Sequence, residues 1–292
     1  MARSMEDIAL CMDVLAKEDE EDWLSCYPGR RDTLIKNPYT TPEIGSDVKG
    51  LKVAVSLNLG GYVKYVHQDV MESIKSAVDV FEKNGAIVTF VDDDFPLSKF
   101  DLYKTYKVLW LGGVAHLLKT KKDSDDLTEA EIKELMDEGL YTIGKQGEKY
   151  TAVEAMHAEQ DRAKMGVAMN KFYRKYDVLV TPTLPIPPFE ANKEVPSNIE
   201  QIASGRDSSY WEDADMVRFW GWTPLSYVFN MTKQPCGCIP CGSFKEGNRL
   251  PISMQVVGPL FGEDVVLKVC NSFQKHTSFH RRVADQQVSS DS

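Results

Sequence analysis

Behind Ser4, a natural helix N-cap, Ile8, Met12 and Leu15 fall three and four residues apart, so residues 4–16 read as an amphipathic helix with a solvated polar continuation, KEDEED. A loop rich in Pro, Gly and Thr runs to about residue 47. The period then changes. LKVAVSLNL, residues 51–59, shows the β-branched alternation of a strand. In the stretch that follows, Val70, Ile74, Ala77, Val78 and Phe81 make one apolar helical stripe, and Gly85 stands where a C-terminal glycine closes a helix. AIVTFV, residues 86–91, is a second strand. Strand, helix and strand within about 40 residues form a βαβ unit, which predicts a parallel pair covered by helices.

Residues 101–118 and 128–139 read as helices, with the charged run KTKKDSDD between them as a solvated loop. Residues 151–174 predict a longer helix with Met156, Ala163 and Val167 on its apolar face. Residues 176–181 are a buried strand stopped by Pro182. Residues 190–224 are irregular and polar and hold Trp211, Trp220 and Trp222. Strands at residues 235–240 and 251–258 precede a last helix over residues 263–276, and the tail, residues 283–292, is polar and expected to be disordered. No repeat or linker divides the chain, so residues 1–282 are read as one unit.

Composition narrows the function classes. A formal charge of −10 over 292 residues argues against a nucleic-acid partner, whose phosphates need clustered Lys and Arg. No apolar run approaches the roughly 20 residues that span a bilayer, and the acidic N-terminal stretch is unlike a signal peptide, which together predict a cytoplasmic protein. Cys11, Cys26, Cys236, Cys238, Cys241 and Cys270 are too irregularly spaced for a secreted disulfide framework and are expected as thiols.

Candidate chemistry centres on QPCGCIPCG, residues 234–242. A zinc site needs four converging ligands, and a fourth could come from Cys270, His276 or His280. Against this, Cys236 and Cys238 share one face of a strand while Cys241 points to the other, so a buried strand with small apolar thiols is the expectation. LNLGGY places Gly60 and Gly61 at a strand-to-helix turn, without the further residues of a phosphate loop. VDDDFP, residues 91–96, reads as a solvated turn. The five histidines form no H-E-x-x-H, and no G-x-S-x-G elbow occurs. Two S-x-x-K patterns, Ser46 with Lys49 and Ser272 with Lys275, are placed in a loop and on the exposed side of the last helix. Asn230 opens a formal glycosylation sequon. The residues themselves supply no catalytic constellation.

Three stretches in order carry a resemblance: MARSMEDIALCMDVLA, KYDVLVTPTLPIPPF, and the run from WGWTPLSYVFNMTKQPCGCIPCG to LPISMQVVGPLFGEDVVL. They resemble the C-terminal half of the amidase signature family, the Ser-Ser-Lys amide hydrolases. The resemblance implies part of a single α/β domain with a twisted mixed sheet covered by helices. It also implies cleavage of a carbon–nitrogen bond through an acyl-serine, with a lysine base, a second serine as relay, an oxyanion hole of backbone N–H groups, and no metal or organic cofactor. In that family the lysine, both serines and their GGSSGG loop precede the segment matched by residues 1–16. No catalytic, cofactor-binding or metal residue is therefore assigned to this chain. The expectation is a chain inactive alone, whose core needs a longer N-terminus, a partner chain or a rearrangement. If the family's other half covered ~1000 Å² of apolar surface, its loss would cost about 25 kcal/mol, beyond the net stability of a typical domain. A small-molecule amide is the expected substrate of the complete enzyme. The alternatives are a non-catalytic remnant with an interaction or regulatory role in a complex, and a metal- or redox-responsive protein built on the cysteines.

Overall fold

The computed structural model describes residues 1–17, 19–22, 25, 39, 45–124, 127–189, 222–245 and 249–279. In chain order its elements are α1 (Met5–Leu15), β1 (Lys52–Val55), α2 (Gln68–Lys83), β2 (Ile87–Phe90), α3 (Leu102–Ser124), α4 (Glu129–Leu135), α5 (Glu138–Gly147), α6 (Ala152–Phe172), β3 (Val178–Pro182), α7 (Tyr227–Thr232), β4 (Cys236–Ser243), β5 (Pro251–Val257) and α8 (Glu263–His276). Among the described residues the strands form a five-stranded sheet in the order β2-β1-β3-β5-β4. β1 runs parallel to β2 and β3, whereas β5 runs antiparallel to β3 and β4, so the sheet is mixed and changes direction at β3.

Burial explains the strand sequences. Val53, Ala54 and Val55 of β1 and Val178, Leu179 and Val180 of β3 are fully enclosed, as strands covered on both faces require. The α2 stripe lies where the periodicity predicts, with Val70, Ile74, Ala77, Val78 and Phe81 all buried. Burying Ile74 or Phe81 stabilises the fold by about 1.5–3 kcal/mol each. Gly85 ends the helix at φ +86°, a conformation open to glycine and strained for other residues.

Several expectations are corrected. Ser4 does cap α1, its hydroxyl accepting from the Asp7 N–H at 3.1 Å, but Leu15 is exposed. α1 instead rests on α8 through Ala9 and Leu267, with Gln274 accepting from the Met5 N–H at 2.9 Å and donating to Glu6 at 2.7 Å. The run KTKKDS belongs to α3 rather than to a loop: lysine is a good helix former, and Lys121 and Lys122 in the last turn suit the negative end of the helix dipole. The expected helix over 128–139 is broken at Met136 and Asp137, where Asp137 caps α5. On α6 the stripe is reversed. Met165, Met169 and Phe172 face the core, whereas Met156 and Val167 are exposed. Residues 190–221, with Trp211 and Trp220, and the tail 283–292 lie outside the described residues.

Among the described residues β4 pairs with β5 alone, so it stands at the sheet edge, with a bulge between Pro240 and Gly242. Its glycines permit close helix contact: a methyl group on Gly242 would lie 2.2 Å from the Ser73 hydroxyl of α2, and one on Gly237 2.9 Å from the Cys270 sulfur of α8.

Candidate functional site

The cysteines divide as strand alternation requires. Gly237, Ile239 and Cys241 face the helices, and Cys236 and Cys238 stand on the opposite face. Because β4 is an edge strand, Cys236 and Cys238 are exposed, which corrects the expectation of a wholly buried strand; Cys241 and Cys270 are buried. Protein atoms crowd even the exposed pair. Desolvation pushes the Cys236 thiol up to about 12 and raises Cys238, where the Thr183 hydroxyl partly offsets it. Burial pushes Cys241 up to about 12 and Cys270 well above the ordinary value. Burial thus favours the protonated thiols, which disfavours both nucleophilic attack and metal ligation. Among the described residues no group of three or more His, Cys, Asp or Glu is placed to hold a metal ion. His276 is bound through Nδ1 to the Ser272 carbonyl at 2.7 Å, and His280 lies outside the described residues.

Neither S-x-x-K pattern forms a catalytic pair. Ser46 sits in the loop before β1. Ser272 is buried against the core, contrary to the exposed position expected, while Lys275 points to solvent.

The glycine turn and the aspartate run meet. Gly60 adopts φ +69°, and a methyl group there would lie 2.8 Å from the Phe95 Cβ; Gly61 follows at φ +78° in more open space. The turn is shaped by close packing. Asp92 is not a solvated turn residue as expected: it is half-buried and accepts from the Ser56 hydroxyl and from the Leu57 and Asn58 N–H groups.

Beyond this turn a wall of tyrosines assembles, which sequence reasoning missed. The Tyr62 hydroxyl pairs with that of Tyr227 on α7. Tyr106 of α3 stacks on Tyr227 at 4.2 Å between centroids and 11° between planes, and Trp110, one turn on, lies 5.8 Å from Tyr106. Desolvation raises the Tyr227 and Tyr106 phenols well above their ordinary value, so both stay protonated and serve as hydrogen-bonding walls rather than as bases. Alongside, on the sheet face shared with Cys238, Gln255 donates to the Thr181 hydroxyl and the Leu225 carbonyl, each at 3.2 Å. Beyond β3, Phe189 stands edge-on to Trp222 at 5.6 Å. The i, i+3 spacing of Tyr103 and Tyr106 was visible in the sequence, but not its junction with Tyr62 and Tyr227.

A mixed sheet wrapped by helices is the architecture of the amidase signature enzymes. The structure is similar to that of a bacterial aryl acylamidase of that family, with a TM-score of 0.77, 22% identity, and coverage of 96% of this chain and 53% of that one. The chain belongs to the amidase family, whose model, Amidase, matches residues 1–267. It is 25% identical over 283 residues to an amidase of Pseudomonas putida, covering 97% of this chain and 53% of that protein. It is 26% identical over 300 residues to a subunit of the glutamyl-tRNA(Gln) amidotransferase of Sulfurihydrogenibium, covering 96% and 54%. The chain thus spans about half the length of the relatives it matches. No helix among the described residues is long and apolar enough to cross a membrane.

Proposed function

We propose that this chain supplies the scaffold half of an amidase that cleaves the carbon–nitrogen bond of a small-molecule amide, the serines and lysine that do the chemistry lying outside residues 1–292. The observation that carries this reading is the family match over residues 1–267, in a sequence with no GGSSGG-like loop. On this reading Thr181, Gln255 and the tyrosine wall line the substrate side, and residues 184–189 and 222–232 help shape the entrance. The chain acts with no metal or organic cofactor, in the cytoplasm, where Cys11, Cys236, Cys238, Cys241 and Cys270 remain free thiols. The purified 292-residue chain is expected to show no turnover of simple aryl amides; activity without a partner chain overturns the proposal. An in-frame Gly/Ser-rich loop and lysine in the coding sequence upstream of Met1 would supply the missing groups.

A second reading, a non-catalytic protein that completes its core with a partner chain, draws on β4. Its outer edge pairs with no strand among the described residues, and it carries no charged side chain to deter pairing. The amidotransferase relative, named as one subunit of its enzyme, lends this reading support. Stop codons upstream of Met1, with a defined hetero-complex on gel filtration, would favour it over the first.

A further inference from the structure

Between residues 91–100 and the outward face of α6 lies an open cleft of about 800 Å³. Ala163, Lys164, Val167 and Lys171 follow one another along its helical wall at spacings of one, three and four residues, and Lys175 lines it from the turn just beyond the helix. Its floor is apolar and largely aromatic, made by Val91, Phe100, Phe172 and Tyr176, with the Phe172 and Tyr176 rings 4.8 Å apart. Val167 is 53% exposed into this space, an uncovered β-branched side chain amid lysines.

The charge around the cleft runs against that of the chain. Lys99, Lys164, Lys171 and Lys175 line it with a single carboxylate, Asp94, in a protein of net charge −10. Lys164 is engaged by Asp161 at 2.8 Å, and the Lys99 ammonium lies 5.4 Å from the Phe100 ring centre. Lys171, in the last turn of α6, and Lys175, in the turn that follows the helix, line the same cleft and have no acidic partner among the described residues. An anion between them would supply the missing countercharge, and an apolar body attached to it would cover the floor. We propose that this cleft binds a small amphiphilic monoanion, an aryl or short-chain alkyl carboxylate, its carboxylate at Lys171 and Lys175 and its apolar part over Phe100, Val167 and Tyr176. The volume suits such a ligand. Inorganic phosphate would leave the floor wet, and a neutral apolar molecule would leave the lysines unpaired. The cleft does not depend on the amide-hydrolase reading.

The test is titration of the full chain with 4-phenylbutyrate, followed by calorimetry and by saturation-transfer NMR, beside 4-phenylbutanol and inorganic phosphate. Saturable binding with a Kd of about 1 mM or tighter is expected, with the alcohol and phosphate each weaker by about tenfold. The double variant Lys171→Gln/Lys175→Gln, at exposed positions that leave the fold intact, is expected to weaken phenylbutyrate binding about tenfold, and Val167→Trp, which fills the cleft, to abolish it. Equal binding of the alcohol, undiminished binding to the double glutamine variant, or no saturable binding up to about 10 mM would each overturn the proposal. Circular dichroism melts of each variant check that the fold is retained.

Discussion

The Ser56 hydroxyl donates to Oδ1 of Asp92 at 2.5 Å, and the Leu57 N–H donates to Oδ2 at 3.0 Å. One carboxylate thereby fastens the end of β1 to the segment that follows β2. Asp92→Ala leaves these donors without their acceptor and is expected to cost about 1–3 kcal/mol, read as a lower urea midpoint with unchanged slope. Asp93→Ala, at an exposed neighbour, is expected to change stability by less than about 0.5 kcal/mol.

The adjacent glycines separate two costs. Gly60→Ala meets both a left-handed backbone and the Phe95 Cβ at 2.8 Å, and is expected to destabilise by roughly 2 kcal/mol or more. At Gly61 the nearest atom is the flexible Lys64 ammonium at 4.0 Å, so Gly61→Ala carries backbone strain alone, about 1 kcal/mol. Thermal melts of the two variants check the order; a reversal would mean that the 92–98 segment gives way.

Acid should loosen the contact between α2 and the end of β4. The backbone N–H of Lys245 is the chief cause that holds the Asp69 carboxyl below its usual 3.8, and the Lys245 side chain, with help from Gln68, lowers Glu72 below 4.5. Both folded-state values are depressed, so the contribution is present at neutral pH and disappears as pH falls through and below those ordinary values. Asp69→Asn is expected to flatten the acid limb of a stability-versus-pH curve. Lys245→Ala is expected to flatten it less, because the backbone donor to Asp69 remains.

Thiol modification should follow exposure and acidity. Cys11 is exposed and is expected to alkylate first among the described cysteines with iodoacetamide at pH 8. Cys236, its thiol pushed up to about 12 by desolvation, should react more slowly. Cys270 should react only on unfolding. Peptide mass spectrometry over time gives the order, and zinc content near zero after metal exposure removes the metal-centre reading.

The most legible elements in the sequence were those with one apolar stripe and one place to bury it. α2 shows its five buried apolar positions in the right period, and α8 has the bounds the pattern predicts. α6 defeats such reading because it bears two stripes, Met165, Met169 and Phe172 on one side and Val153, Met156 and Val167 on the other. Periodicity says that a face is apolar, not which neighbour covers it. The tyrosine wall was illegible for another reason: its members come from three separate segments, and only the sheet order brings them together. QPCGCIPCG was read correctly as a strand, but its edge position depends on which strand pairs with which, information absent from any local window.

The reversal of direction at β3 bears on the time course of folding. Just before β3, the Asp177 carboxylate accepts from the Lys52 N–H across a separation of 125 residues. β3 also pairs with β5, which lies far downstream of it. During synthesis the βαβ unit must therefore leave the ribosome and wait, one flank of β1 unpaired, until β3 arrives. β3 then waits in turn for the C-terminal hairpin. Such non-local closure makes for slow folding and a long exposure of apolar strand edges, a cost written into the order of strands.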